Sequence, residues 1–230
     1  MKDPYVYEGS GVLINLKDIH DQEKLDEYEN AMASLAIARL QKEGMEINDL
    51  NDIFAVHKVL FEQVYSWAGE PRKINIYKEE PVLNGLSVEY SDHRNIHQEI
   101  NSLDKRFASL DWNGISKKEL VKNTAFFFTS LWKIHPFREG NTRSVSTLMA
   151  LFARKTGLKL DVDFVSKHAK YFRNAMVLNS IGEYAEPEHL EGFLSDALLF
   201  RDPKGSGDIY KTINGYEVEK YQYAQHSYIE

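Results

Sequence analysis

At the centre of the chain lies Ile134-His135-Pro136-Phe137-Arg138-Glu139-Gly140-Asn141-Thr142-Arg143-Ser144-Val145-Ser146, a short polar segment between two apolar stretches. Pro136 disfavours helical backbone at the residue before it, so the preceding helix is predicted to end at His135. The next helix is predicted to begin at about Thr142. Its first N–H groups and the positive end of its dipole would then point back into the loop.

Each residue type in this loop suits one part of phosphate chemistry. A helix N-terminus binds phosphate groups, and Arg143 adds a charge-assisted donor. Gly140 and Asn141 can adopt backbone conformations that most residues avoid. Glu139 offers a hard oxygen ligand for Mg²⁺ carried by a nucleotide. Because histidine titrates near neutral pH, His135 is a candidate general base for a hydroxyl nucleophile.

Composition limits the function classes that remain. The 230 residues, of which 43% are hydrophobic and 12% aromatic, are enough for a packed globular core. A net charge of −7 argues against nucleic acid or an anionic membrane as the main partner. Since there is no cysteine, disulfides, thiol catalysis and cysteine metal sites are excluded. We see no signal peptide and no membrane-spanning run, and we therefore expect a cytoplasmic protein.

Apolar residues at three- and four-residue spacing predict a mainly α-helical fold. The predicted helices cover 21–42, 48–64, 92–110, 117–133, about 142–156, 164–180 and 187–200. Residues 1–20 are predicted to form an N-terminal arm, and 208–230 a C-terminal helix or tail after a linker at 201–207. We expect a single domain over 1–230, with its helical core at 21–200.

One segment breaks the helical pattern. Residues 73–78 alternate apolar and polar side chains, and 87–90 could pair with them, which predicts a β-hairpin at about 73–90. A lone hairpin is marginally stable, so it is either a functional flap or an edge element. Histidines outside the central loop are each expected to be ordinary hydrogen-bonded or exposed side chains. They are His20, His57, His93, His97, His168, His189 and His226.

The central loop, residues 135–143, resembles the H-P-F-x-[DE]-G-N-x-R signature of the Fic (Fic/Doc) family. Residues 3–16 resemble the family's N-terminal arm, 57–72 the helix before its flap, and 74–78 the flap. The resemblance implies a Fic-like helical bundle with a small β-hairpin flap over the active site. It also implies transfer of AMP from ATP, with Mg²⁺, to a Ser, Thr or Tyr hydroxyl of a target protein.

The resemblance assigns roles within the loop. His135 would deprotonate the target hydroxyl, and Glu139 would hold the Mg²⁺ that bridges the α- and β-phosphates. Residues that would bind the nucleotide phosphates are Arg138, Gly140, Asn141, Thr142 and Arg143. Flap residues that would align the target segment as an added strand are Ile74, Asn75, Ile76, Tyr77 and Lys78.

The chain departs from the family pattern in three places. Thr142 replaces the commoner glycine, at a position predicted to open a helix. Ser146 stands where a second arginine would bind the γ-phosphate, and a lost charge-assisted bond weakens binding by roughly 1.5–3 kcal/mol. An inhibitory glutamate of the family would fall at Asn214, four residues after Tyr210, if that segment is its equivalent.

These departures leave two alternatives open. One is a Fic-fold transferase that uses another nucleotide or phosphoryl donor, and the other is a non-catalytic nucleotide-binding regulatory module. Besides a target protein, a separate antitoxin is a partner that the family allows. No direct nucleic-acid or membrane partner is expected.

Overall fold

The computed structural model describes residues 3–198, and helices dominate this part of the chain. The predicted mainly helical fold class is confirmed. The α-helices are α1 Gln22–Glu43, α2 Ile53–Phe61, α3 Ile96–Ala108, α4 Lys117–Ile134, α5 Asn141–Lys155, α6 Val162–Lys167, α7 Ala169–Leu178 and α8 Pro187–Ala197. None of the helices in the described range combines the length and apolar character needed to cross a membrane. Predictions for 201–230, including Tyr210 and Asn214, lie outside the described residues.

Two predicted helices are interrupted. The segment predicted at 48–64 is a 3₁₀ turn, Leu50–Asp52, followed by the shorter α2. The side chain of Asp49 accepts the N–H of Asn51 and so starts the turn. The segment predicted at 164–180 is divided into α6 and α7 because His168 leaves the helical region, with φ −111° and ψ 28°.

The predicted β-hairpin at about 73–90 is wrong. Within residues 3–198, the only β-type pairing is one isolated bridge between Val6 and Leu13. The N–H of Lys78 donates to the Ser87 hydroxyl at 3.2 Å rather than to a strand carbonyl. Pro81, which has no N–H to donate, opens a 3₁₀ turn, Pro81–Leu83. Alternating side chains were therefore not enough to form a ladder, and 76–90 is an irregular loop. It is held by backbone turn bonds, such as that from the N–H of Glu80 to the carbonyl of Leu86 at 3.0 Å, and by side-chain bonds.

Contacts within the chain define two compact units, and the prediction of a single domain stays a prediction. The first unit runs to Asn75 and also includes Ser91–Ser109 and Ile134–Lys155, so it contains α1, α2, α3 and α5. Helix α2 is its centre, because it packs against both α1 and α5 and is apolar over most of its surface. Its fully or almost fully buried side chains are Ile53, Val56, His57, Leu60 and Phe61.

Within the described residues, the second unit contains Ile76–Tyr90, Leu110–Lys133 and 156–198, with α6, α7, α8 and all but the last residue of α4. A capping box starts α4. The N–H of Ser116 donates to Glu119 at 3.0 Å, and the N–H of Glu119 donates to the Ser116 hydroxyl at 3.3 Å. The core of this unit is aromatic and aliphatic. It includes Phe128, Leu131, Trp132, Phe172, Met176, Phe193 and Leu194.

A buried carboxylate fastens the 76–90 loop to α7. Glu80 is fully buried, and its two oxygens accept hydrogen bonds from the guanidinium of Arg173, one of them at 2.9 Å. The hydroxyl of Tyr90 donates to the same carboxylate at 3.0 Å. Since a buried carboxylate needs a counter-charge and donors, this network stabilises a loop that lacks a strand ladder.

Replacing Arg173 with methionine should lower the free energy of unfolding by about 3 kcal/mol, because Glu80 would stay buried without its counter-charge. The control is Arg94→Met, which removes an arginine that is 77% exposed and paired with Asp92. That control should cost much less than Arg173→Met, because solvent screens an exposed ion pair. Urea unfolding of the two variants measures the difference, and equal losses would contradict the structural role of Glu80.

Candidate active site

His135 is the first residue after α4, and its backbone leaves the right-handed helical region. Helix α4 stops at Ile134, one residue beyond the predicted 117–133, and His135 has φ 51°, in the left-handed region. It is 2% exposed. A left-handed backbone at a residue with a side chain costs about 1–2 kcal/mol and persists only where neighbours hold it in place. The contacts that hold this residue are therefore part of the site.

Asn141, the first residue of α5, closes the loop with its side chain. Its Oδ1 accepts the N–H of Phe137 at 2.9 Å, and its Nδ2 donates to the carbonyl of Phe137 at 2.8 Å. Both residues are buried, and Phe137 is fully so, which anchors the loop in the core. The amide group has a second N–H, so the side chain of Asn141 can hold the loop and still contact a phosphate.

His57 of α2 supports the same loop through Phe137 and Glu139. Its Nδ1 accepts the N–H of Gly69 at 2.8 Å, so Nε2 carries the proton and donates to the carbonyl of Glu139 at 3.1 Å. The ring stacks on Phe137 with centroids 3.7 Å apart. Burial lowers the pKa of His57 to about 3, so the ring stays neutral near pH 7. From the sequence, His57 was grouped with the ordinary histidines. Its supporting role was indicated in the sequence only by its position among the apolar residues of α2.

Position 140 requires glycine both for its backbone conformation and for the close packing of Phe61 against it. It has φ 82°, and a Cβ placed on it would lie 2.4 Å and 2.5 Å from two ring carbons of Phe61. Its N–H donates to the carboxylate of Glu139 at 2.9 Å. The first hydrogen bond of α5 runs from the N–H of Ser144 to the carbonyl of Gly140 at 3.0 Å. Helix α5 therefore begins at Asn141, one residue before the predicted start.

Glu139 is the carboxylate of the loop that could hold Mg²⁺. It is half-buried, and each of its oxygens has two lone pairs, so the bond from Gly140 leaves capacity for a cation. In the described part of the chain, the one cluster of three metal-binding side chains is Glu186, Glu188 and His189, in the second unit. A single carboxylate fits Mg²⁺ that is otherwise held by nucleotide phosphates and water.

Both arginines predicted to bind phosphate have carboxylate partners. Arg138 donates to Asp3 at 2.9 Å, and Arg143 forms an ion pair with Glu29, a buried residue of α1. The hydroxyl of Tyr65 also donates to Glu29, and burial together with that carboxylate raises the pKa of Tyr65. A guanidinium has five N–H donors, so an ion pair does not use all of them. Neither acidic partner was predicted, because each is distant from its arginine in the sequence.

The departures from the family pattern lie on α5. Thr142 is in the first helical turn, which agrees with its predicted place. Ser146, one turn beyond Arg143, donates its hydroxyl to the carbonyl of Arg143 at 3.0 Å. It therefore binds a carbonyl of its own helix and supplies no charge where the family pattern has an arginine.

The predicted flap residues are divided between the two units. Ile74 and Asn75 belong to the first unit, which also contains the loop 135–143. The carbonyl of Ile74 accepts a hydrogen bond from Arg72, whose own backbone N–H donates to Pro136 at 2.7 Å. Ile76, Tyr77 and Lys78 belong to the second unit, and their role toward a target stays a prediction.

Comparison with known proteins agrees with this geometry. The sequence model of the Fic/DOC family matches residues 47–153. The chain is 32% identical over 189 residues to the probable protein adenylyltransferase y4lH of Sinorhizobium fredii, covering 80% of this chain and 92% of that protein. It is 31% identical over 166 residues to protein adenylyltransferase VbhT of Bartonella schoenbuchensis, covering 72% of this chain and 34% of VbhT. The chain thus spans about a third of VbhT and nearly all of y4lH.

A solved structure shows the same fold. BepC, a VirB-translocated effector of Bartonella tribocorum with bound AMPPNP, superposes with a TM-score of 0.71 at 24% identity. The match covers 84% of this chain and 95% of that one. Together with the similarity to y4lH, the comparisons show that the chain belongs to the Fic/DOC family.

Substituting Gly140 with alanine should lower the free energy of unfolding by about 3 kcal/mol or more, because strain at positive φ adds to the clash with Phe61. Gly85 is the matched control, since it has φ 91° but a Cβ added there would meet no atom within 4 Å. Gly85→Ala should cost about 1–2 kcal/mol, the strain alone. Chemical denaturation measures both, and a Gly140→Ala loss no larger than the control's would contradict the tight packing.

The pH dependence of stability should report on His57. The unfolded chain binds a proton at this residue below about pH 6.5, whereas the folded protein keeps it neutral down to about 3. The unfolding free energy should therefore fall by about 2 kcal/mol from this group alone between about pH 7.5 and about pH 5. In His57→Gln that contribution should disappear from the pH profile. If the stability of His57→Gln varied with pH in the same way as that of the parent, a buried neutral ring at His57 would be contradicted.

Proposed function

We propose that the protein is a protein adenylyltransferase, which transfers AMP from ATP to a Ser, Thr or Tyr hydroxyl of a target protein. One observation carries the proposal most directly. A histidine with left-handed backbone and the N-terminus of α5 are held in one loop, 135–143, that has the full H-P-F-x-E-G-N-x-R pattern. The relatives VbhT and y4lH are named as a protein adenylyltransferase and a probable one, which supports AMP as the transferred group.

In the proposed reaction, the target hydroxyl oxygen forms a bond to the α-phosphorus of ATP. The bond from that phosphorus to the oxygen bridging the α- and β-phosphates breaks, and pyrophosphate leaves with the electron pair. His135 takes the proton of the hydroxyl. Proximity and fixed orientation supply a large part of such a rate enhancement, which suits a loop with its side chains locked by packing.

The first turn of α5 is the proposed phosphate-binding element. Its backbone N–H groups and the positive helix end favour an anion, and Gly140 allows the backbone to approach closely. Arg143 would share its guanidinium between Glu29 and a phosphate, and Arg138 would do the same with Asp3. When Mg²⁺ is bound at Glu139, it would neutralise charge on the α- and β-phosphates. The residues Ile74 to Lys78 would align the target.

Ser146 favours a second candidate, a transferase with another nucleotide or phosphoryl donor. Its hydroxyl is used within α5, so the triphosphate end would have one charged donor fewer than the family pattern provides. A non-catalytic module has less support, because His135 and Glu139 are both present. An antitoxin partner and action in the cytoplasm remain predictions from the sequence.

Incubation of the purified protein with α-labelled ATP, Mg²⁺ and a bacterial lysate should label either the protein itself or a lysate protein. His135→Ala should reduce the labelling rate by at least about 100-fold, since it removes the general base. The control is His20→Ala, at a histidine whose side chain is 59% exposed. It should label at the parent rate.

Intact-mass analysis of the labelled protein identifies the transferred group. An added AMP would support the main proposal, whereas UMP, GMP or a phosphoryl group would support the second candidate. Thermal stabilisation by Mg-ATP without any transfer would instead indicate a binding module. The absence of label with every nucleotide, or full labelling by His135→Ala, would contradict the proposed function.

A further inference from the structure

Arg72 lies outside the central loop, yet its side chain reaches it. This residue follows Pro71 in the turn after α2 and is 2% exposed. Its Nε donates to the carbonyl of His135 at 2.8 Å. Its backbone N–H donates to the carbonyl of Pro136 at 2.7 Å. Two consecutive carbonyls directly after α4 are therefore bound by one residue.

The same guanidinium binds both ends of another segment. Its NH1 group donates to the carbonyl of Ile74 at 2.6 Å, and its NH2 group donates to the carbonyl of Ser91. Ile74 and Ser91 flank the 76–90 loop in the sequence. Asn75 adds a second link between these ends, because its Oδ1 accepts the N–H of His93 at 2.8 Å.

The chemistry of arginine suits this position. The guanidinium is a planar fork with fixed donor directions, so it can hold several carbonyls in one geometry. The carbonyl oxygens that the guanidinium contacts, including that of Ile134 at 3.4 Å, stabilise the buried cation. Lysine would keep the charge but would lose the fork.

We propose that Arg72 is the positioning residue of His135, and that it also joins the two ends of the 76–90 loop to the central loop. Its Nε and backbone N–H fix the two peptide groups that follow His135, and thereby the direction of the imidazole. The inference rests on the proposed function of His135 as general base. Arg72 itself acts through His135 and contacts no reacting atom.

The test measures the rate of labelling by α-labelled ATP, on the protein itself or on the lysate protein that it labels, as the ATP concentration is varied, in the full chain with Mg²⁺. Arg72→Lys and Arg72→Gln should each lower the maximal rate by about 100-fold, the loss expected from a displaced catalytic group. The ATP concentration at half-maximal rate should stay within about twofold of the parent value, because Arg72 is not a phosphate ligand. Lysine should not rescue the rate.

The matched control is Arg39→Lys, at an exposed arginine of α1 paired with Glu43. It should leave both parameters unchanged. The inference would be overturned if the Arg72 variants had the same maximal rate as the parent. It would also be overturned if the only change were a higher ATP concentration at half-maximal rate. Loss of the cooperative unfolding transition in both variants would make Arg72 a residue of the fold alone and would also overturn it.

The parent protein separates the two proposals. If the parent shows no labelling that depends on His135, the proposed function fails. If the parent labels but the Arg72 variants label equally well, only the inference about Arg72 fails.

Discussion

The left-handed backbone at His135 is the constraint on which the rest of the first unit depends. Because α4 ends at Ile134 and α5 begins at Asn141, six residues connect them without helical hydrogen bonds, and His135 among them has a positive φ. Such a connection leaves backbone groups without helical partners in the interior, and buried polar groups need hydrogen bonds. Asn141, His57 and Arg72 supply them from three different parts of the chain. The loop is therefore shaped by its surroundings more than by its own residues.

The supporting residues have different electrostatic characters, and this explains why they are not interchangeable. His57 is neutral and gives and accepts one hydrogen bond each, so it can be buried between aromatic rings at little electrostatic cost. Arg72 is a buried cation that is bound by carbonyl oxygens, including one at a helix C-terminus. Arg143 and Arg138, in contrast, are half-buried and paired with acids. The charges available for a phosphate, on Arg138 and Arg143, are thus at the edge of the loop. The one charge that holds the shape of the loop, on Arg72, is buried.

The amino-acid sequence predicted most helices and the central loop, but it did not predict the residues that support the loop. Helical periodicity located most helices, and the pattern at 135–143 located the site, because both are local signals. Local alternation at 73–90 predicted strands that tertiary contacts, such as the ion pair of Glu80 with Arg173, override. Arg72, Glu29 and Asp3 were missed for a related reason. A hydrogen bond between residues 63 positions apart, such as that from Arg72 to His135, leaves no spacing that a single sequence can show.

A crystal structure of the protein with AMPPNP and Mg²⁺ tests the central claim, that the loop is formed before the nucleotide arrives. We expect phosphates at the N-terminus of α5 and a loop backbone that moves by less than about 1 Å, the range typical of preformed sites. His135 should keep its positive φ, and Asn141 should keep both bonds to Phe137. A nucleotide bound away from α5, or a loop that abandons these bonds when the nucleotide binds, would contradict a preformed site.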